Sequence, residues 1–175
     1  MASSARGRRL RTQDAALGTA VFLAAAPGVV AGAAPWLLTG WRTGATLWAP
    51  LRWLGGAVVA VGASVLVAAF VRFVVEGRGT PAPIAPTEEL VVGGLYRHVR
   101  NPMYVAVVAV ILGQALLLGR PVLVAYAAAV WLVVASFVRW YEEPALARQF
   151  GARYGDYRSA VPAWRPRLLP WRPLA

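Results

Sequence analysis

The chain has no cysteine, no lysine, a single histidine and only seven acidic residues among 175. Without cysteine there are no disulfides, no thiolate metal sites and no cysteine nucleophile. With one histidine besides, a metal would need an all-oxygen site, and none is expected. Charge is scarce at 14%, against roughly 25% in an ordinary soluble domain. What takes its place is apolar: 59% of residues are hydrophobic and mean hydropathy is +0.56. A soluble fold of this length could not hide that much apolar surface, so a membrane protein is expected. The 175 residues suit one domain.

The cations are all arginine, and net charge is +11. They flank apolar runs, which points to a membrane surface and not to nucleic acid. No internal repeat or nucleic-acid motif occurs. The partners this pattern predicts are membrane lipids.

Residues Met1 to Asp14 form a basic tail. The apolar run Ala15 to Leu38, interrupted by Pro27 and Pro35, is long enough to cross a ~30 Å hydrocarbon core. It has two readings, a retained helix or a signal segment cleaved near Ala31-Gly32-Ala33. Thr39 to Arg52 is a polar and aromatic connection whose tryptophans suit a membrane interface. Trp53 to Val75 is a second span; Gly55, Gly56, Gly62, Ala63 and Ser64 either allow close helix approach or follow base composition. Glu76 to Asn101 is a long connection, with Gly79-Thr80-Pro81-Ala82-Pro83 dictating an extended path. Met103 to Leu118 and Val122 to Tyr141 are the third and fourth apolar runs. Gly119-Arg120-Pro121 between them predicts a tight turn and an antiparallel hairpin.

Beyond Glu143, Phe150, Tyr154 and Tyr157 recur at helical spacing among arginines, and Pro144 suits a first helical turn. The tail through Trp171 and Arg172 reads as a segment at headgroup level. The expected fold is all-α: a polytopic membrane bundle of about four transmembrane helices with a C-terminal cytoplasmic amphipathic helix. Residues 1–75 would form a tail and two spans, and residues 76–175 the functional core. Arginine asymmetry places both termini on the cytoplasmic side of the cell membrane.

Two polar islands stand out. Gly93 to Tyr104 precedes the third run, and Arg139-Trp140-Tyr141-Glu142-Glu143 ends the fourth. A hairpin brings them to one membrane face, within the 8–10 Å that separates packed helices. Asn101 is a suitable N-cap and Pro102 a suitable first residue. That helix start, with Arg97, Arg100 and His98, favours an anionic group. Glu142 and Glu143 favour cations and hydroxyl donors. Tyr96, Tyr104, Trp140 and Tyr141 can stack on a ring or face a cation. A ligand with a carboxylate, a flat base, a ribose diol and a positive centre suits this mixture. The plain alternatives are arginines and tyrosines anchoring a membrane edge, and a solvated glutamate pair.

Arg100-Asn101-Pro102-Met103-Tyr104, a hydrophobic hairpin and Glu142-Glu143 together resemble a known signature. It is that of the isoprenylcysteine carboxyl methyltransferase and phospholipid methyltransferase group of integral-membrane enzymes: Arg-His-Pro-x-Tyr, a hydrophobic stretch, then Glu-Glu. Gly94-Leu95-Tyr96-Arg97, Phe150 to Tyr157 and Val161-Pro162 look like bacterial members. The resemblance covers about residues 76–167. It implies S-adenosylmethionine as cofactor, held by Arg100, Asn101, Pro102 and Tyr104 from one side and by Glu142 and Glu143 from the other; Tyr96, Arg97 and His98 join the expected cofactor-binding set by their place in the first island. Asn101 stands where the group has histidine. The implied chemistry is direct displacement of a sulfonium methyl, which needs alignment and water exclusion more than acid–base machinery. No catalytic base is assigned. Prenylated cysteine, phosphatidylethanolamine, other lipids and small hydrophobic thiols or amines are all open as acceptors. A sterol-type reductase using a nicotinamide cofactor and a non-catalytic membrane scaffold are the alternative functions.

Overall fold

A computed structural model describes residues 26–44, 48–77 and 89–172, with only the backbone of 73–77. The basic tail, the start of the first apolar run and most of the long connection, including Gly79 to Pro83, lie outside the described residues. Those described form helices, turns and irregular segments, with no strand among them. Helix α1 is Ala26–Thr39 and α2 is Ala49–Gly77. A short 3-10 turn, Gly94–Arg97, leads to α3, Pro102–Leu118. Then come α4, Val122–Phe137, α5, Glu143–Phe150, and α6, Ala152–Ala160.

Two helical stretches are long and apolar enough to cross a membrane: Ala49–Arg72 and the continuous run Val122–Phe150. Only 22% and 17% of them is buried within the protein, which separates them from the covered core helices of a soluble fold. Helices α1 and α3 are shorter apolar helices. The 17 residues of α3 reach about 26 Å at 1.5 Å per residue.

The core lies around α3. Val107, Ile111 and Ala115 of α3 pack with Leu123 and Ala127 of α4, against Val30 and Ala31 of α1 and Leu66 of α2. The closest approach is between α2 and α3. A Cβ built on Gly55 would sit 2.5 Å from the Leu117 amide nitrogen and 2.8 Å from the Gly113 carbonyl oxygen. One on Gly113 would sit 2.9 Å from the Gly55 carbonyl oxygen. Gly62 faces Val110 and Ala106 in the same way, so α2 and α3 run antiparallel. Of the two readings of the small residues, close packing holds at Gly55 and Gly62. Gly56 meets nothing nearer than 3.9 Å.

The α3–α4 hairpin turns where expected. Gly119 adopts a left-handed φ of 63°, as a helix C-terminus commonly requires. The last carbonyls of α3 are satisfied from outside: Gly44 N–H donates to Leu118 O (2.8 Å) and Arg52 Nε to Leu117 O (3.3 Å).

Two prolines shape the bundle by the same device. Pro35 and Pro144 each follow a π-helical turn, Val29–Ala33 and Val138–Glu142. Proline has no N–H and its ring crowds the carbonyl four residues back, so the helix widens just before it. In α1 this leaves carbonyls open, and Tyr126 Oη donates to Val30 O (2.9 Å) and Gln114 Nε2 to Ala31 O (2.6 Å). In a lipid setting such groups must be satisfied within the protein. The C-terminal amphipathic segment is two helices, not one. Gly151, at φ 53°, separates α5 from α6.

Gly55→Val and Gly113→Val each force backbone apart and should cost at least the ~1–3 kcal/mol of an overpacked core. Gly56→Ala should change stability little. Thermal unfolding in detergent distinguishes the three, and equal loss at Gly56 would contradict this packing.

Candidate functional site

The two islands meet. Arg100 Nη1 lies 2.7 Å from Glu143 Oε1, and both side chains are nearly buried. The same nitrogen donates to Tyr154 Oη at 3.0 Å. Glu143 Oε2 takes Arg158 Nη2 at 3.2 Å, so both Glu143 oxygens are engaged by protein. Glu142 is held differently: Tyr104 Oη donates to its Oε2 at 3.2 Å.

The π-turn explains how neighbouring glutamates serve one site. Adjacent residues of an ordinary helix point about 100° apart. The wider turn carries a bond from Glu143 N–H to Val138 O, which sets Val138 and Glu143 on a common face. Val138, Glu142, Glu143 and Leu146 then line one cavity of about 70 Å³, room for a few ordered waters. Its other walls are Leu90, Val91, Tyr96, Arg100, Asn101, Tyr154 and Tyr157.

Five of the nine expected site residues therefore line this space: Tyr96, Arg100, Asn101, Glu142 and Glu143. The other four stand behind it. Tyr104 reaches the cavity through Glu142. Pro102 is fully buried at the start of α3. Arg97 and His98 hold the C-terminal segment: Trp171 N–H donates to Arg97 O (3.0 Å) and Arg167 N–H to His98 O (2.9 Å). The His98 ring returns the bond, Nδ1 to Arg167 O at 2.8 Å. A carbonyl only accepts, so Nδ1 carries the proton.

Two expectations change. Asn101 occupies the N-cap position of α3 but makes no side-chain cap bond. Its Nδ2 donates instead to Ala163 O at 3.2 Å, tying the start of α3 to the C-terminal segment. Trp140 and Tyr141 do not line the cavity. Both are exposed, with Arg139 over the Trp140 ring at 5.6 Å and Tyr141 stacked on Phe137 at 5.1 Å. The π-turn that gathers the glutamates turns these aromatics outward.

Tyr154 and Tyr157, read from sequence only as the apolar face of an amphipathic helix, are also participants in the site. Their recurrence three apart on α6 was the available signal. Both are buried with Val161, and Tyr157 Oη donates to Tyr96 O at 2.7 Å. Burial raises the pKa of both phenols, so they remain neutral at physiological pH. Among the described residues no group of acidic or histidine side chains could hold a metal. Among the described residues the guanidinium donors Arg97 Nε and Arg100 Nε are buried without a hydrogen-bond partner, and of the two Arg100 lines the cavity.

Residues 50–153 match the phospholipid methyltransferase family. The chain belongs to that family. The match takes in α2, α3, α4, α5 and both islands, and membership implies a membrane methyltransferase with a lipid substrate. No curated protein matches the chain.

Glu143→Gln leaves Arg100 without its buried counter-charge and should cost about 3–5 kcal/mol. Arg158→Gln removes a partner whose side chain is 46% exposed and should cost about 1 kcal/mol or less. Chemical unfolding of the two variants measures the difference, and equal losses would contradict the assigned roles.

Proposed function

We propose that the chain is an integral-membrane methyltransferase that uses S-adenosylmethionine and methylates a lipid or another hydrophobic acceptor. The observation that carries this is the pairing of Arg100 with Glu143 and of Tyr104 with Glu142, beside a cavity at one end of the helical hairpin, in a chain of this family. On this reading residues 76–175 hold the core of the activity. The bundle crosses the cell membrane four times, with both termini cytoplasmic.

The donor set fits the cofactor. Arg100 Nε, buried and without a partner, offers a hydrogen bond to a carboxylate. Glu142, with one oxygen held by Tyr104, offers its other oxygen to a hydroxyl or a positive centre. Tyr96 and Tyr154 supply aromatic wall. Asn101 lines the cavity while its Nδ2 ties the start of α3 to the C-terminal segment, and Arg97, His98 and Pro102 support that junction from behind. Glu143, with both oxygens engaged, fixes Arg100. At about 70 Å³ the cavity admits the polar head of a ligand, and a nucleoside-sized cofactor widens it on entry.

The bound cofactor supplies an electrophilic methyl on a sulfonium centre. The chain's part is to align that centre with the acceptor and to exclude water. A lipid acceptor reaches the site from the bilayer. A carboxylate acceptor needs no base, whereas an amine loses its proton at some stage. No residue is assigned to that role.

Purified protein in detergent should bind methyl-labelled S-adenosylmethionine and transfer label to a component of membrane extracts. Glu142→Gln removes a ligand contact and should weaken binding about tenfold or more, the loss of one charged hydrogen bond, with little loss of stability. Absence of binding, or binding unchanged in Glu142→Gln, would sink the assignment.

A further inference from the structure

Residues 161–172 follow α6 as an irregular strap laid across the first island. Arg100 N–H donates to Pro162 O (2.9 Å), Arg167 N–H to His98 O (2.9 Å) and Trp171 N–H to Arg97 O (3.0 Å). The Trp171 ring also packs on Tyr157, with centroids 5.4 Å apart. Between the tied residues Arg167 and Trp171 the chain makes a crest. At its top Leu168 is 96% exposed and Leu169 75%. Two adjacent leucines held out by a fixed backbone are unlike the scattered apolar residues of any protein surface.

We propose that this crest docks on the anionic surface of the bilayer, with Leu168 and Leu169 entering the boundary between headgroups and acyl chains. Three observations name that occupant. First, the strap touches a helix of membrane-spanning length: the Trp164 ring meets the Trp131 ring edge-on at 6.3 Å, and Trp131 belongs to Val122–Phe150. Second, the crest is flanked by exposed Arg165 and Arg172, a charge pattern that matches anionic headgroups. Arg167 is turned inward, donating to Ala160 O at 2.9 Å. Third, Pro166 and Pro170 bracket the crest and carry no N–H. That reduces the backbone donors to be satisfied as the segment leaves water.

The consequence reaches the site. The crest hangs from the carbonyls of Arg97 and His98, and the strap accepts from Asn101 Nδ2 through Ala163 O. A docked crest therefore holds down the segment that backs the cavity wall. The proposal depends on the chain lying in a membrane and is independent of the methyl donor, so either can fail without the other.

The absence of cysteine makes the test direct. Leu168→Cys, Leu169→Cys and, as reference, Ser159→Cys on the exposed side of α6 are spin-labelled in the full chain. Each is reconstituted in vesicles of phosphatidylcholine with or without phosphatidylglycerol. Accessibility to oxygen is compared with accessibility to a water-soluble nickel chelate. Labels at 168 and 169 should favour oxygen in anionic vesicles, and the label at 159 should favour nickel in both. Arg165→Gln with Arg172→Gln should lower the ratio of docked to undocked crest roughly twenty-five-fold, at about fivefold per arginine near the surface. Nickel-accessible labels at 168 and 169 in anionic vesicles would overturn the proposal. So would equal burial in uncharged vesicles, or labels shielded from both reagents, which would mean a protein partner or a second copy covers the crest.

Discussion

The buried contact between Arg100 and Glu143 is the constraint on which the rest of this structure depends. It joins residues separated by the whole α3–α4 hairpin, at 2.7 Å and nearly out of water. Desolvating two charges is costly, and the attraction between them repays it only with good geometry and further hydrogen bonds. Here Tyr154 accepts from Arg100 and Arg158 donates to Glu143, both from α6. The pair thus draws α6 over the hairpin, and α6 leads directly into the strap.

Everything below that contact works to put the two charges at the same level. Glycines at 55, 62 and 113 let α2 and α3 touch backbone to backbone. Gly119 turns the chain within a few residues. Pro144 forces the π-turn that gathers Val138, Glu142 and Glu143 toward one cavity. Pro35 produces the matching turn in α1, whose open carbonyls fasten α1 to α3 and α4. The polar bonds deep in the bundle therefore follow from a proline each time, and they orient the helices where lipid supplies no hydrophobic drive between them.

Much of this was legible in the residues. Composition announced the membrane, the Gly-Arg-Pro turn announced the hairpin, and residues of opposite charge at its two ends announced the meeting of the islands. The division of labour was not legible. Adjacent Glu142 and Glu143 look equivalent in sequence, yet one has both oxygens bound by arginine and the other only one by tyrosine. Trp140 and Tyr141 were expected at the site for their ring chemistry alone, which says nothing of the direction they face on the helix; both are exposed. Asn101 has the chemistry of an N-cap, but a nearby carbonyl on the strap takes its amide instead. The strap itself is held largely by main-chain bonds, which leave no pattern of side chains to read.

The site is assembled from two segments distant in sequence. A double-mutant cycle on Arg100→Ala and Glu143→Ala, read by unfolding free energy, tests that most directly. The two changes should be far from additive, with a coupling of about 2–3 kcal/mol, because removing the second charge relieves the burial cost exposed by removing the first. Additive losses would mean that the islands lie near each other without forming a unit, and would contradict the account.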